Sequence, residues 1–331
     1  MLSAVAVDTI EPTAESGRWH ARDVAYYSGH WDHLRALLPT FELADFRAGL
    51  DTPRNPYMRS VVRNPRAADE QPVPVGVVSN TYTLVQHQEV AEKCFDGIER
   101  AGIDVSALRC ELGLTPLGEW MNLRVYFPEA YRYRAQREVG DVMDLRLECF
   151  NSVDGTSRLI VTFGWLRLVC LNGMVIGETI VERRDVHNRH LSLEPIPGII
   201  EAGLKEVPED IKRLQNWEAE PIPVRALEPW VDGVVATAWG PRAACRVFHI
   251  CRSGYDAVIA DPFAGGQPST KRVIKTTRVP GSAVPAKTLF DAAQALSWVA
   301  TERRDREERV KWQRQVPVLI GGLVGRRTSS V

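Results

Sequence analysis

The sequence predicts an α+β protein, an antiparallel β-meander of about five to six strands packed against several helices, with an irregular N-terminal arm. Three observations predict it. Apolar, β-rich runs joined by short polar links fill residues 108–181, whereas residues 199–300 carry apolar positions at helical spacing punctuated by Pro and Gly. Strands in the first half and helices in the second argue for segregated elements rather than alternating βαβ units. With 331 residues, 44% hydrophobic and 25% charged, the chain has a globular composition and room for one large domain or two intimate ones.

Residues 1–72 are rich in Pro, Arg and aromatic residues without sustained period, and "DTPRNPYMRSVVRNPRAADEQP" has the punctuation of an extended loop. They read as an arm with one short helix near 30–38. Residues 73–185 read as a strand-helix unit followed by the meander. Val73–Val78 is β-branched and predicts a strand, Ser79-Asn80 a turn, and Val90, Cys94, Ile98 and Ala101 a helix closed by Gly102. The runs Leu108–Leu114, Trp120–Phe127, Met143–Val153, Arg158–Cys170 and Met174–Val181 then predict successive strands. Asn172-Gly173, between the last two, suits the positive φ of a type I′ hairpin turn.

Residues 186–315 form the helical half. Ile199, Ile200, Leu204 and Val207 predict one helix, and Pro208 in a first turn begins a second through Ile211, Leu214 and Trp217. A third covers about 225–238, and "GPRAACRVFHICRSG" predicts a fourth between Pro241 and Gly254. Residues 262–290 carry Lys271, Arg272, Lys275, Arg278 and Lys287 with no acidic residue, and their Gly, Pro, Ser and Thr content predicts a surface loop. A long helix with Leu289, Ala293, Leu296 and Ala300 on one face follows, ending in the charged stretch "ERRDREERVKWQRQ", and 316–331 is left as a tail.

The formal net charge of −1 means that any affinity for nucleic acid must come from a local patch. Six scattered cysteines, with no basic start and apolar run at the N-terminus, predict free thiols and a cytoplasmic protein. The apolar stretch "VPVLIGGLV" is far shorter than the roughly 20 residues that span a bilayer, so no membrane partner is expected.

No metal site and no cofactor is predicted. Cys245, His249 and Cys251 form C-x-x-x-H-x-C, but on a helix the second cysteine swings roughly 120° from the first, and a fourth ligand is missing. His30 with His33 and His187 with His190 read as ordinary loop histidines. The G-x-S-x-G, Walker A, G-x-G-x-x-G and H-E-x-x-H patterns are absent, which favours a binding protein over an enzyme and predicts no catalytic residue. Asp144, Glu148 and Asp154 could serve a metal-dependent nuclease, against the plainer expectation that they face solvent.

Two basic features point to nucleic acid. In loop 262–290, Lys271, Arg272, Lys275 and Arg278 suit phosphates, since each phosphate neutralised releases counterions. In "AYRYRAQRE", Tyr131 and Tyr133 interleave with Arg132, Arg134 and Arg137, the combination of base stacking and phosphate contact that single-strand binders use. Both runs also fit a solvated surface. Arg167, inside an apolar run, is expected to brace the sheet.

"VVSNTYTLVQHQEV" (77–90), with Tyr82 and Val85-Gln86-His87, and "LRLVCLNGM" (166–174), with Arg167–Asn172, resemble a phage and plasmid-like family known as domain of unknown function 932. "TLFDAAQALSWVATERR" is similar to its C-terminal helix, so the resemblance runs over residues 70–305. It implies a setting in phages, plasmids and integrated elements, and no catalytic residues. The resulting expectation is a DNA-binding protein of a mobile element, akin to single-strand annealing factors, with single-stranded DNA as partner and a homo-oligomeric assembly. The rival expectations are a protein–protein factor that inhibits a host defence or regulates a host protein, and, more weakly, the nuclease.

Overall fold

The computed structural model describes residues 9–10, 24–49, 51–134, 142–168, 175–223, 225–263, 265–303 and 306–324. The chain divides into two compact units, one of Met1–Arg132, Asp144–Gly164 and Ile180–Glu206, the other of Tyr133–Met143, Trp165–Thr179 and Val207–Val331.

In the first unit a short strand, β1 (Thr9–Ile10), pairs with β2 (Ala25–Gly29), which leads into helix α1 (Trp31–Leu34). Strands β3 (Phe41–Asp45), β4 (Met58–Arg63) and β5 (Val73–Ser79) form a three-stranded antiparallel sheet. Phe41, Val61 and Val78 from these strands, with Val153, make a small core. Helix α2 (His87–Arg100) buries Val90, Ala91, Cys94, Phe95 and Ile98, a single stripe at 3.6-residue spacing, and Gly102 beyond its end has φ +81°. The Gln86 side chain before α2 both accepts from the Phe41 N–H (3.0 Å) and donates to the Phe41 carbonyl (2.9 Å), which ties the helix entrance to β3.

The meander follows as β6 (Arg109–Leu114), β7 (Trp120–Tyr126), the short β8 (Arg132–Arg134), β9 (Val142–Ser152), β10 (Leu159–Leu168) and β11 (Val175–Asp185). The main sheet has the order β1-β2-β6-β7-β9-β10-β11, with β8 pairing β9. Gly118, at φ +73°, closes the β6–β7 turn by donating its N–H to the Thr115 carbonyl (2.8 Å). A Cβ there would stand 2.5 Å from Pro39 Cγ, so packing and backbone both require glycine.

Helix α3 (Pro195–Ala219) leads to α4 (Leu227–Trp230), a π-helical turn at Val231–Val235, and α5 (Ala236–Trp239). Helix α6 (Pro241–Ser253) follows, then β12 (Tyr255–Ile259), β13 (Val273–Arg278), α7 (Leu289–Thr301) and α8 (Arg306–Val324). In the second unit Trp230 Nε1 donates to the Leu319 carbonyl (2.8 Å), and Trp239 stacks on Trp312 with ring centroids 4.5 Å apart. The Arg303 guanidinium, just beyond α7, lies 4.5 Å from the ring centre of Trp312 on α8, a cation–π contact.

The α+β class and the succession of meander strands match the expectation; four details differ. The N-terminal arm contains its short helix, but residues 25–63 also supply β2 to the main sheet and β3 and β4 to the smaller one. Pro208 lies inside one continuous helix: Ile196, Ile200, Leu204, Val207, Leu214 and Trp217 are all buried, and that stripe outweighs the roughly 3 kcal/mol of an interior proline. The tail from 316 begins as the second half of α8, with Val316, Leu319, Ile320 and Leu323 buried. Part of the 262–290 loop is strand β13. The Asn172-Gly173 turn and Cys170 lie outside the described residues, as does the side chain of Arg167.

Candidate nucleic-acid interface

Gly254 ends α6 in the left-handed conformation (φ +71°) and hands the chain to β12. Strands β12 and β13 pair antiparallel as a separate two-stranded ribbon, with Ala257 opposite Lys275, Val258 opposite Ile274 and Ile259 opposite Val273. Ala257 is buried, while every residue from Ile274 to Arg278 is exposed. A register shift between Tyr255 and Ala257 inserts an extra residue on the β13 side, which resets the alternation of side chains. As a result Lys275 and Arg278, three apart, share one aromatic platform: Lys275 Nζ is 5.1 Å and Arg278 Cζ 5.4 Å from the Tyr255 ring centre.

At the head of the ribbon the Ala260 N–H donates to the Arg272 carbonyl (2.9 Å). The Phe263 N–H donates to Asp261 Oδ1 (3.0 Å), and the Phe263 side chain is 98% exposed. The returning arm is anchored: Ser269 donates its N–H and its Oγ to the Asp232 carboxylate (2.8 and 2.5 Å), and Lys271 Nζ donates to the Gly265 carbonyl (3.2 Å). Asp232 belongs to the π-helical turn, so the widened turn presents the carboxylate that fixes the loop. Burial pushes His249 below the ordinary histidine range, and burial holds the Cys245 thiol up at about 11, so both stay neutral at pH 7 under the loop.

Acidic groups on the ribbon are engaged. Asp256 is buried, accepts from Arg246 and from Trp298 Nε1 (2.9 Å), and is held below the usual carboxylate range because those bonds outweigh its burial. Asp261 is exposed and accepts the Phe263 N–H on Oδ1. Lys271, Arg272, Lys275 and Arg278 thus form a cationic strand and turn.

The second cluster is different. Arg132 pairs with Asp144 (2.5 Å), and the Tyr131 ring lies 5.8 Å from that of Phe127. Tyr133 is only 3% exposed, its hydroxyl donates to Glu218 (2.7 Å), and its ring is 6.1 Å from Phe290. It is a core residue and unable to stack on a base: the alternation of β8 turns Tyr133 inward between Arg132 and the exposed Arg134. Arg137 lies outside the described residues.

The dispersed carboxylates do not face solvent as expected, and they do not converge. Asp144 pairs with Arg132, while Glu148 accepts from Arg124 (3.0 Å) and Arg146 (3.1 Å). Asp154 accepts from the Ser152 hydroxyl (2.6 Å), the Thr156 hydroxyl (2.6 Å) and Trp120 Nε1 (3.2 Å). Among the described residues no three His, Cys, Asp or Glu side chains are grouped to hold a metal ion. His187 stacks face to face on Tyr82 (5.2 Å, 7°) and donates from Nδ1 to the Thr83 carbonyl (3.2 Å); His190 accepts from Arg189 (3.3 Å). A Cβ on Gly76 would stand 2.7 Å from Asp154 Cα, so this region is close-packed.

Sequence reasoning missed Tyr255, Phe263 and the Asp232–Ser269 clamp. The visible signal was "YDAVIADPF" before the basic run: a β-branched stretch, then an Asp-Pro-aromatic turn.

The molecule is thus an α+β protein with a family-like sheet half and a cationic ribbon. Residues 74–240, half of the chain, match the family described as domain of unknown function (DUF932), and the chain belongs to that family. No curated protein and no solved structure matches it. The matched residues cover β5 to α5 and stop before the ribbon. No helix among the described residues is long and apolar enough to cross a membrane.

Proposed function

We propose that this chain is a DNA-binding protein of a mobile element and that the β12–β13 ribbon is its interface. The observation that carries the reading is the ribbon's exposed face: Arg272, Lys275 and Arg278 are exposed along one strand and turn, with Lys271 at its start, while Asp256 is paired with Arg246 and Asp232 is bonded to Ser269. Cations so placed bind phosphates and gain from counterion release. A two-stranded ribbon also has the width of a groove or of a single strand's backbone. The single-strand annealing activity expected from the sequence, and the homo-oligomer it requires, belong to the same proposal.

The test is binding of a labelled single strand and its duplex at several salt concentrations, with particle mass recorded, for the wild type and for Lys271→Glu/Arg272→Glu. The expected result is salt-sensitive binding that the double variant weakens across all sequences, with a salt slope shallower by about 2. Unchanged affinity and slope in that variant would refute the interface. One observation favours the rival reading of a protein-interaction factor: Val258 and Ile274, opposite each other on the ribbon, are 53% and 60% exposed. That reading gains if neither DNA binds at low salt.

A further inference from the structure

We infer that Phe263 is the base-stacking residue of the ribbon and that it selects unpaired nucleotides over duplex. The inference rests on the reading of the ribbon as a nucleic-acid interface and adds the chemical group that the head of the ribbon recognises: the face of an unpaired base.

Phe263 is a large aromatic side chain at 98% exposure, with no neighbour to bury it. The backbone that leads to it is constrained. Pro262 restricts the backbone before it, and the Phe263 N–H is tied to Asp261 Oδ1 (3.0 Å). Beyond it the loop is fastened by Ser269 to Asp232, and Lys271 Nζ is drawn to the Gly265 carbonyl (3.2 Å), only two residues from Phe263 in sequence. An ammonium group is therefore held at a carbonyl close in sequence to the ring, and Arg272 follows it.

This pairing matches one ligand in both charge and shape. A phosphate met by Lys271 or Arg272 carries its base within reach of the turn, and an aromatic ring accepts any base on its face. In a duplex the bases are already stacked and that face is closed. Val258 and Ile274 do not serve this purpose, because aliphatic side chains offer no flat face to a base.

The experiment compares three labelled probes of equal length, an oligo-dT strand, an abasic strand with the same phosphates, and a duplex, on the wild type, Phe263→Ala, Phe263→Tyr and Lys271→Glu/Arg272→Glu. Because Phe263 is exposed, its variants fold like the wild type, and circular dichroism checks this. The wild type is expected to prefer oligo-dT to the abasic strand, and Phe263→Ala to lose about 5- to 150-fold on oligo-dT. Abasic and duplex binding and the salt slope should be unchanged in Phe263→Ala, and Phe263→Tyr should restore the preference. If Phe263→Ala keeps the full single-strand preference while the charge reversal still abolishes binding, the stacking role falls and the ribbon interface survives. If the wild type binds none of the probes, the interface falls and the stacking role with it.

Discussion

Acidification from pH 7 to pH 5 should destabilise the first unit by about 2 kcal/mol through His87 alone. His87 opens α2, is fully buried, and is bonded at both ring nitrogens: Nε2 to the Gly118 carbonyl (2.8 Å) and Nδ1 to the Asn151 amide nitrogen (2.9 Å). A carbonyl only accepts, so Nε2 carries the hydrogen and Nδ1 receives the Asn151 N–H. The ring is neutral, and a second proton has no acceptor. Burial is the main cause that lowers its pKa to about 4; neighbouring His187 lowers it further, against the Gly118 bond and Asp154. The folded value lies below the unfolded one, so the unfolded chain binds the extra proton between about pH 6.5 and pH 4. Stability is therefore full above pH 6.5 and declines as the pH falls towards 4. His187, lowered mainly by burial, adds a loss of the same sign. Urea unfolding at pH 7, 6 and 5 reads the effect. His87→Gln should be less stable at pH 7 but should lack about 2 kcal/mol of the pH dependence. Equal pH dependence in wild type and variant, or a native His87 titration midpoint above 6, would refute the assignment.

Two further outcomes follow from buried polar contacts. Arg124 on β7 has a side chain 11% exposed between Glu111 on β6 (3.6 Å) and Glu148 on β9 (3.0 Å); Glu148 keeps Arg146 and Glu111 keeps Arg109, so Arg124→Met should cost about 1–3 kcal/mol. Thermal unfolding should fall by roughly 2–12 °C, and a loss below about 0.5 kcal/mol would mean that the ladder is not coupled. Tyr133→Phe removes the bond to Glu218 and should cost about 1–3 kcal/mol of stability, with oligonucleotide binding unchanged. Loss of binding without loss of stability would instead return Tyr133 to the interface.

The meander was legible because its strands are continuous apolar, β-rich runs, buried on both sides over much of their length, and its links carry residues with strong local preferences, such as Asp154-Gly155 and Gly118. The arm was not, because β3 and β4 owe their pairing to partners distant in sequence: Gln86 grips Phe41 across 45 residues, and β5 supplies the third strand. Pro208 misled for a related reason. A local rule about proline competes with an apolar stripe running from Ile196 to Trp217, and burial along the whole stripe prevails. In the 262–290 segment, Gly and Pro suggested loop, yet "VIKTTR" is β-branched at four of its positions and needs only a partner to become a strand. Tyr255–Ile259 provides it, tied to α6 by the Arg246–Asp256 pair.

Of the residues in the candidate site, the cations Lys271, Arg272, Lys275 and Arg278 are visible in the sequence, whereas the burial of Tyr133 and the exposure of Phe263 are not. Charge is visible in a sequence, while exposure of an aromatic ring depends on where the fold leaves it. The family-matched residues point the same way. Tyr82, Gln86, His87 and Asn151 are tied to one another's surroundings, by Tyr82 to the Ser152 carbonyl (3.1 Å), Asn151 to the Val85 carbonyl (3.1 Å) and His87 to Gly118. Gly76 is held against Asp154, and a Cβ on Gly97 would stand 2.8 Å from the Pro197 carbonyl oxygen, so this region is packed rather than open. Residues constrained in this way preserve a fold, and a recurrent motif in them needs no ligand to explain it. The exposed cations Arg272, Lys275 and Arg278 differ in this respect, and they lie beyond the matched residues.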